Sequence, residues 1–552
     1  MLIIFLSSII LVFYTVAYGL IFNNNLNYNT YNYTKSLIFS IIIISFLSLL
    51  LNFYFPINNY IATLIPIFGL ILSIKFRKLL FQFSFFKFLI LISIMITLFL
   101  TESNVYRPDA GLYHLPFIGI LNSEKIIIGI SNLHSRYSMT SIIQYFDAIN
   151  NNLILKNNGI VFSQALIASA IIINFISLLG RYVKKKNYNF HFFFLFFVVI
   201  YIAYKMNRYS EFGNDAPSHF LVFFLISEIL LNVKKIKLDS FLNNLLISLF
   251  IIQSKLTLIF IILLNIIHLN KINLKELILN KKFIFINIFF IAWIGKNILF
   301  SGCALYPIEF TCIENLSWTN LENIKEVSLE AEVWTKGWSE LLVDHKFSMG
   351  EFKSNFNWIK VWLFTHGKLI LKLLIPYLIF TIILLIFLLD RTKKKKVFLD
   401  KKIYLIFFIL IFCSLIWFIK APLYRYGYSF LVSSIVFVLT YLFMKYESKF
   451  HSQNKIFASI LLICILTIVC KNIYRIYKTS NNYVNYPWPK YYSMGDNNIQ
   501  SKFNFYNMNG LKIIVPINDY CMYIAGVCSH YGIEDSLKVK KKYGYIVLKS
   551  EN

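Results

Sequence analysis

The feature that most constrains how this chain folds is a series of apolar stretches that contain almost no charge. Four of the clearest are residues 37–55, 283–300, 369–389 and 403–419. An α-helix rises about 1.5 Å per residue, so each stretch can cross a hydrocarbon core about 30 Å thick with its backbone hydrogen bonds satisfied internally. With 58% hydrophobic and only 14% charged residues, the chain also lacks the charge of a soluble protein. The sequence therefore predicts an all-α polytopic membrane protein.

Basic residues between the apolar stretches predict the topology. The positive-inside rule assigns basic loops to the cytoplasm, and two apolar segments separate each neighbouring pair of basic clusters. We therefore expect about 12–14 spans, with both termini outside the cytoplasm. Residues 2–22 lack the features of a signal peptide and are predicted as the first span. The basic clusters are 75–78, 181–186, 234–237, 271–282, 391–402 and 445–455, and the weakest predicted spans are 60–74, 190–204, 240–254 and 257–270.

This topology predicts two domains, a membrane domain and a small extracytoplasmic α+β domain. Half-apolar stretches at 112–121 and 139–149 are typical of amphipathic helices at the membrane interface. Runs of alternating polarity at 511–516 and 543–548 predict strands. The membrane domain is 1–478, its outer loops are 101–158, 300–367 and 420–427, and the C-terminal domain is 479–552.

The formal charge of +28 is explained by lysines in the predicted cytoplasmic loops. These lysines are spread among many loops rather than gathered on one face, as nucleic-acid binding requires. We expect membrane lipids around the protein and no nucleic-acid partner.

Four of the seven cysteines fall in predicted outer segments as two local pairs, Cys303 with Cys312 and Cys521 with Cys528. An oxidising compartment favours a disulfide in each pair. Metal binding is the alternative, but neither pair has CxxC spacing or a partner pair nearby. We predict two short disulfide loops.

The densest cluster of polar residues begins with Asp109, soon after a predicted span. A carboxylate at the membrane surface can take a proton from an acceptor hydroxyl or bind a metal. His114, His134 and Arg136 follow in the same loop, and such side chains donate hydrogen bonds to phosphate oxygens. This set suits attack on a sugar attached to a lipid phosphate. A structural Asp109–Arg136 salt bridge with surface histidines explains the spacing equally well.

Arg425 marks a second candidate site, at the outer mouth between two predicted spans. Tyr424, Tyr426 and Tyr428 surround it. This arrangement is suited to binding a phosphate or sugar, but it is also typical of anchoring at the membrane interface. Lys420 and Arg425 on the outside run against the positive-inside bias, which favours function over anchoring.

Two further features are less specific. Residues 300–367 contain five tryptophans interleaved with carboxylates, which is typical of sugar binding or of a loop lying on a bilayer. Lys255 lies between two short predicted spans, and Asp215 and His219 lie near Arg208. Such residues either line an outer cavity or simply snorkel to the surface.

Together, these features resemble the GT-C class of glycosyltransferases, integral membrane enzymes that use polyprenyl-phosphate-linked sugars. The resemblance rests on many spans, an acid soon after a span in a long first outer loop, and Arg and His in the outer loops. Individual segments are similar to those of poorly characterised bacterial envelope proteins of this kind, over most of the chain. They are Asp109–Pro116, Asn132–Arg136, Ala421–Gly427, Leu305–Pro307 and the tail with Cys521 and Cys528.

The resemblance implies a GT-C-like fold with Asp109 as catalytic general base or metal-associated acid. It implies a polyprenyl-phosphate sugar donor, an envelope glycan, lipid or protein as acceptor, and the outer face of the cytoplasmic (inner) membrane as the place of reaction. Many members carry two adjacent acids, whereas Ala110 follows Asp109 here and Glu102 is the only other acid nearby. A divalent metal (Mg or Mn) is thus a candidate cofactor without assigned ligands. The candidate substrate- and phosphate-binding residues are Tyr113, His114, His134, Arg136, Arg425 and Tyr426.

We expect inverting sugar transfer, in which Asp109 deprotonates the acceptor while Arg136 and Arg425 stabilise the leaving phosphate. A polysaccharide polymerase or ligase would instead rely on outer arginines and histidines without an essential carboxylate. A transporter or flippase of lipid-linked glycans would place its polar groups at mid-membrane, and a purely structural membrane protein also remains open. The sequence contains no Walker-type glycine loop, which disfavours a nucleotide-activated donor.

Overall fold

The computed structural model describes residues 1–22, 29–101, 108–206, 213, 215–234, 237–269, 272–338, 348–354, 356–388, 399–445, 454–478 and 491–550. Over these residues the protein is mostly helical. In chain order, the α-helices are α1 Leu2–Leu20, α2 Thr30–Tyr54, α3 Asn59–Lys75, α4 Arg77–Leu80, α5 Phe83–Leu100, α6 Leu115–Ser123, α7 Ile143–Asn150, α8 Phe162–Lys184, α9 Phe190–Lys205, α10 Asp215–Asn232, α11 Leu238–Ser254, α12 Ile266–Leu269, α13 Leu274–Ile278, α14 Lys281–Ser301, α15 Leu321–Thr335, α16 Met349–Ser354, α17 Trp358–Trp362, α18 Lys368–Leu388, α19 Lys401–Lys420, α20 Tyr424–Lys445 and α21 Asn454–Tyr477. Two π-helical turns, Ala110–His114 and Leu363–Gly367, and 3₁₀ helices at Ile130–Asn132, Ser135–Ser138, Asn157–Val161, Leu256–Asn265 and Glu309–Thr311 complete the helical structure.

Ten helical segments of the described residues are long and apolar enough to cross a membrane: α1, α2, α5, α8, α10, α14, α17 with α18, α19, α20 and α21. The prediction of a multi-pass α-helical membrane protein is confirmed. Four shorter apolar helices, at Asn59–Lys75, Phe190–Lys205, Leu238–Ser254 and Leu256–Leu269, coincide with the four weakest predicted spans. With them, the described part of the chain contains fourteen apolar helical segments, which is the upper figure predicted.

Asparagines begin several of these helices. The side chain of Asn29 accepts a hydrogen bond from the backbone N–H of Asn32, and Asn58 and Asn189 cap α3 and α9 in the same way. An N-cap satisfies a backbone donor that the helix leaves free and stabilises it by about 1 kcal/mol. Part of the asparagine content of the chain therefore has a structural use.

Contacts between loops show that the bundle has two distinct ends. At one end, predicted cytoplasmic segments meet: Tyr188 donates to Asn454, and Lys402 Nζ donates to the carbonyl of Val233 at 3.1 Å. At the other end, the first outer loop packs against the C-terminal strands, which we call the tail (residues 491–550). These contacts join four of the predicted cytoplasmic segments in two pairs, which agrees with the charge pattern for those segments.

The tail contains seven strands: β1 Tyr491–Tyr492, β2 Phe503–Met508, β3 Leu511–Pro516, β4 Tyr523–Ile524, β5 Val527–Cys528, β6 Leu537–Lys542 and β7 Tyr545–Ser550. They form a parallel β1–β4 pair, a β2–β3–β5 sheet and a β6–β7 hairpin. Two-residue turns with positive φ, Asn509-Gly510 and Tyr543-Gly544, close both hairpins because such turns match the strand twist. The predicted strands are present, but residues 491–550 contain no helix, so the α+β prediction is wrong for this part of the tail.

The first outer loop forms two short helices, α6 and α7, close to the predicted positions. Every residue of α7 is buried, and so is almost every residue of α6. The prediction that these helices lie at the membrane interface, with a polar face toward water, is therefore wrong. The tail covers them, since Tyr523 donates a hydrogen bond to Asn122 at 3.0 Å and accepts one from Asn151 at 2.5 Å.

Candidate functional site

Four charged side chains form a chain of alternating sign at the tail end of the bundle. Arg425 Nη1 donates to Asp109 Oδ2 at 2.9 Å, and Arg425 Nε lies 3.8 Å from Asp215 Oδ2. Lys255 Nζ donates to Asp215 Oδ1. We call Asp109, Arg425, Asp215 and Lys255 the polar cluster. Its two cations and two anions balance, which permits four charges to lie close together at partly buried positions.

Breaks in the helices place these residues. Lys255 is the extended residue between α11 and the following 3₁₀ helix, so its side chain leaves the helical path there. Asp215 occupies the first turn of α10, where the helix dipole favours a negative charge. Arg425 lies in the first turn of α20, where the dipole disfavours a cation, and the two carboxylates compensate for this.

Aromatic rings surround the cations of the polar cluster. Lys255 Nζ lies 4.0 Å from the centre of the Tyr426 ring, and the Arg425 guanidinium lies 5.3 Å from the same ring and 5.5 Å from that of Trp334. A side chain at Gly427 would come within 2.3 Å of the Trp417 ring, so glycine is needed for α20 to approach α19. The result is a charged site with aromatic walls, the type of surface that holds sugars and cations.

His219 fastens α10 to α20 beneath the polar cluster. Its Nδ1 pairs with the Ser429 hydroxyl at 2.7 Å, and its Nε2 with the carbonyl of Arg425 at 2.9 Å. Because a carbonyl only accepts, Nε2 carries the proton and Nδ1 accepts from Ser429. His219 therefore positions Arg425 rather than snorkelling to the surface.

Tyr113 and His114 lie on the π-helical turn next to Asp109. Burial lowers the pKa of His114 to about 4, so its imidazole is neutral at pH 7. Gln144 donates to the carbonyl of His114 at 3.0 Å and ties the turn to α7. Burial likewise raises the pKa of Tyr113, whose ring lies 5.7 Å from the Arg136 guanidinium.

Residues 1–432 match a protein family described as a domain of unknown function, DUF8201. The chain belongs to the DUF8201 family. The matched region includes the whole polar cluster and ends within α20, so it does not extend to α21 or the tail. No curated protein and no solved structure matches the chain.

In this DUF8201 protein, Asp109, Tyr113, His114, Arg425 and Tyr426 come together, so the structure joins residues of two sites that the sequence predicts separately. The alternative of an Asp109–Arg136 salt bridge is wrong, because Asp109 pairs with Arg425. Among the described residues, no carboxylate lies within ion-pair distance of Arg136.

His134 is displaced from the polar cluster. Its ring contacts Tyr137 of the same loop and Tyr531 of the tail, with ring centres 4.9 and 4.8 Å away. It is only 4% exposed, so the interpretation of His134 as a surface histidine is wrong. The sequence contains no signal for the contact between His134 and Tyr531, because the two residues lie far apart in the chain and share no motif.

The donor set of the polar cluster does not fit a divalent metal. Asp109 and Asp215 each already face a cation, and a metal between them would have to displace both Arg425 and Lys255. The described residues contain no group of three or more His, Cys, Asp or Glu side chains placed to hold a metal. Glu102 and Arg208, which we singled out in the sequence, lie outside the described residues.

Two disulfides brace the segments around this site. Cys303 is bonded to Cys312 and Cys521 to Cys528, the two local pairs predicted from the sequence. The second disulfide lies in the tail segment that contacts the π-helical turn, where Met522 N–H donates to the carbonyl of Gly111 at 3.0 Å.

Proposed function

We propose that the protein is a GT-C-like glycosyltransferase of the cytoplasmic membrane. It would move a sugar from a polyprenyl-phosphate donor to an envelope glycan, lipid or protein at the extracytoplasmic face. The observation that carries the proposal is the polar cluster itself. It combines two carboxylates with two cations and aromatic walls at the end of the bundle opposite the basic loops.

Asp109 is suited to act as the general base. Its side chain is 33% exposed and is held by Arg425, a partner that a donor phosphate can attract away. In the proposed step, Asp109 takes the proton of an acceptor hydroxyl, and the hydroxyl oxygen bonds to the anomeric carbon. The bond from that carbon to the phosphate oxygen breaks, and the phosphate leaves with the electron pair.

The cations stabilise the leaving phosphate. Arg425 can donate two parallel hydrogen bonds and Lys255 supplies a point charge. We assign Arg136 and the neutral His114 supporting roles toward the phosphate, and Tyr113, Tyr426 and Trp334 contact with the sugar. No step requires a metal.

The test is to profile the envelope glycans and lipid-linked sugars of a deletion strain complemented with wild type, Asp109→Asn or Asp239→Asn. Asp239 is a matched control, since it is also an aspartate paired with a cation, Lys282, but it lies at the end of α11 away from the polar cluster. At equal membrane levels of the proteins, we expect Asp239→Asn to restore the profile. Asp109→Asn should leave a glycan one sugar short, with its lipid-linked donor accumulated.

A polysaccharide polymerase or ligase is the second candidate. It is favoured by one observation: Asp109 is ion-paired, as a structural acid would be, while Arg136 has no carboxylate partner among the described residues. Restoration of the full profile by Asp109→Asn would overturn the transferase proposal and favour this one.

A further inference from the structure

Buried polar atoms without partners gather where the first outer loop meets the tail. They are His134 Nε2 on the loop, and Ser529 Oγ and His530 Nδ1 on the tail. Buried polar atoms almost always have a hydrogen-bond partner. Three buried polar atoms without a partner at one junction therefore indicate a place where a ligand can bind. We call His134, Tyr137, Ser529, His530 and Tyr531 the tail seam.

The hydrogen bonds of His134 define what it can offer. Its Nδ1 accepts from the backbone N–H of Arg136 at 3.2 Å. Burial lowers the pKa of His134 to about 4, so the ring is neutral and its single proton is on Nε2. The unpartnered atom is therefore a donor, which needs an acceptor.

The surroundings of His134 favour an acceptor with negative charge. The guanidinium of Arg136 lies close enough to His134 to lower the pKa of that imidazole further. Arg136 has no carboxylate partner among the described residues, and its guanidinium can grip two oxygens of one anion. The ring of His530 lies 5.6 Å from that of Tyr531, which also contacts His134, so the two imidazoles flank one tyrosine.

We infer that Arg136, His134 and His530 form an oxyanion-binding site at the tail seam for a phosphate group. Tyr531 is 75% exposed and Arg136 and His530 are partly exposed, so the site opens to solvent while His134 lies at its base. Arg136 borders both this site and the polar cluster. The inference does not depend on glycosyl transfer.

The test is binding of inorganic phosphate to the purified full-length protein in zwitterionic nanodiscs, by calorimetry at constant ionic strength. Wild type should bind saturably. Arg136→Gln, His134→Phe and His530→Phe should each weaken binding at least about tenfold, since each removes one or more charge-assisted hydrogen bonds. His134→Phe keeps the ring between Tyr137 and Tyr531. His530 has no role in the proposed transfer, so His530→Phe tests the tail seam alone.

Lys125→Gln is the matched control, because Lys125, like Arg136, is a cation of the first outer loop that lies near an aromatic ring, here 4.0 Å from the centre of Tyr545. Its phosphate affinity should equal that of wild type. Absence of saturable binding, or equal affinity of wild type and His530→Phe, would overturn the inference.

Repeating the titration with phosphatidylglycerol in the nanodiscs identifies the source of the phosphate. If inorganic phosphate binds more weakly in these nanodiscs than in zwitterionic ones, a lipid headgroup occupies the site. If its affinity is unchanged, the site takes a soluble or glycan-borne phosphate.

Discussion

Arg425 is the residue on which the proposed site depends. It pairs with Asp109 and approaches Asp215, it lies over Tyr426 and Trp334, and its carbonyl accepts from His219. The sequence pointed to Arg425 because a cation outside the membrane breaks the positive-inside pattern. Its pairing with Asp109 was not predictable, because the two residues are 316 positions apart and only the folded bundle brings them together.

Asp215 and Lys255 test whether the cluster is held by charge balance. Asp215→Asn removes one partner and leaves Lys255, which is 10% exposed, without its carboxylate. We expect the free energy of unfolding to fall by about 1–3 kcal/mol, a value between those for breaking an exposed and a buried ion pair. The double variant Asp215→Asn/Lys255→Met should recover most of the loss. The apparent midpoint of thermal unfolding in detergent compares the stabilities of wild type and the two variants. A double variant less stable than Asp215→Asn would contradict the charge-balance account.

At the scale of elements, the tail is part of the fold around the site rather than a separate appendage. Gly526 N–H donates to the carbonyl of Gly119 at 3.4 Å, and Leu548 N–H donates to Ile128 at 2.8 Å. Asn132 donates to the carbonyls of Leu548 and Trp318, which joins the tail to two outer loops. The tail therefore fixes the loop that carries Asp109.

Gly119→Ala should loosen the tail. A Cβ at Gly119 would lie 2.0 Å from the carbonyl oxygen of Ile524, so the backbone of the tail would have to move. We expect faster hydrogen exchange over residues 491–550. Gly180→Ala is the matched control, because nothing lies within 4 Å of a Cβ there and alanine favours the helix. Unchanged exchange in Gly119→Ala would show that the tail does not pack against α6 as described.

Some kinds of element can be predicted from the sequence and others cannot. Spans were predictable because hydropathy over about 20 residues is a local property, and the predicted span 369–389 corresponds to α18 at Lys368–Leu388. The burial of α6 and α7 was not predictable, because it depends on a tail distant in sequence. The same holds for His134, whose neighbours in the tail decide its environment.

At the scale of the whole molecule, the described structure places different charged groups at the two ends of the bundle. Basic loops meet at one end of the bundle, while the polar cluster, the tryptophan-rich loop and the tail meet at the other. A transporter needs polar groups between its two faces, whereas the cluster found here lies at the ends of α10, α11 and α20. This arrangement favours chemistry at one membrane face and supports the proposed sugar transfer.

The most direct measurement uses the lipids of the deletion strain as substrate. Purified wild-type protein and Asp109→Asn, each in nanodiscs, are incubated with those lipids and an acceptor fraction from the same strain, and free polyprenyl phosphate is quantified by mass spectrometry. The account predicts time-dependent release by wild type and at least about a hundredfold slower release by Asp109→Asn, the range for loss of a general base. Equal release by both proteins, or none by wild type, would contradict it.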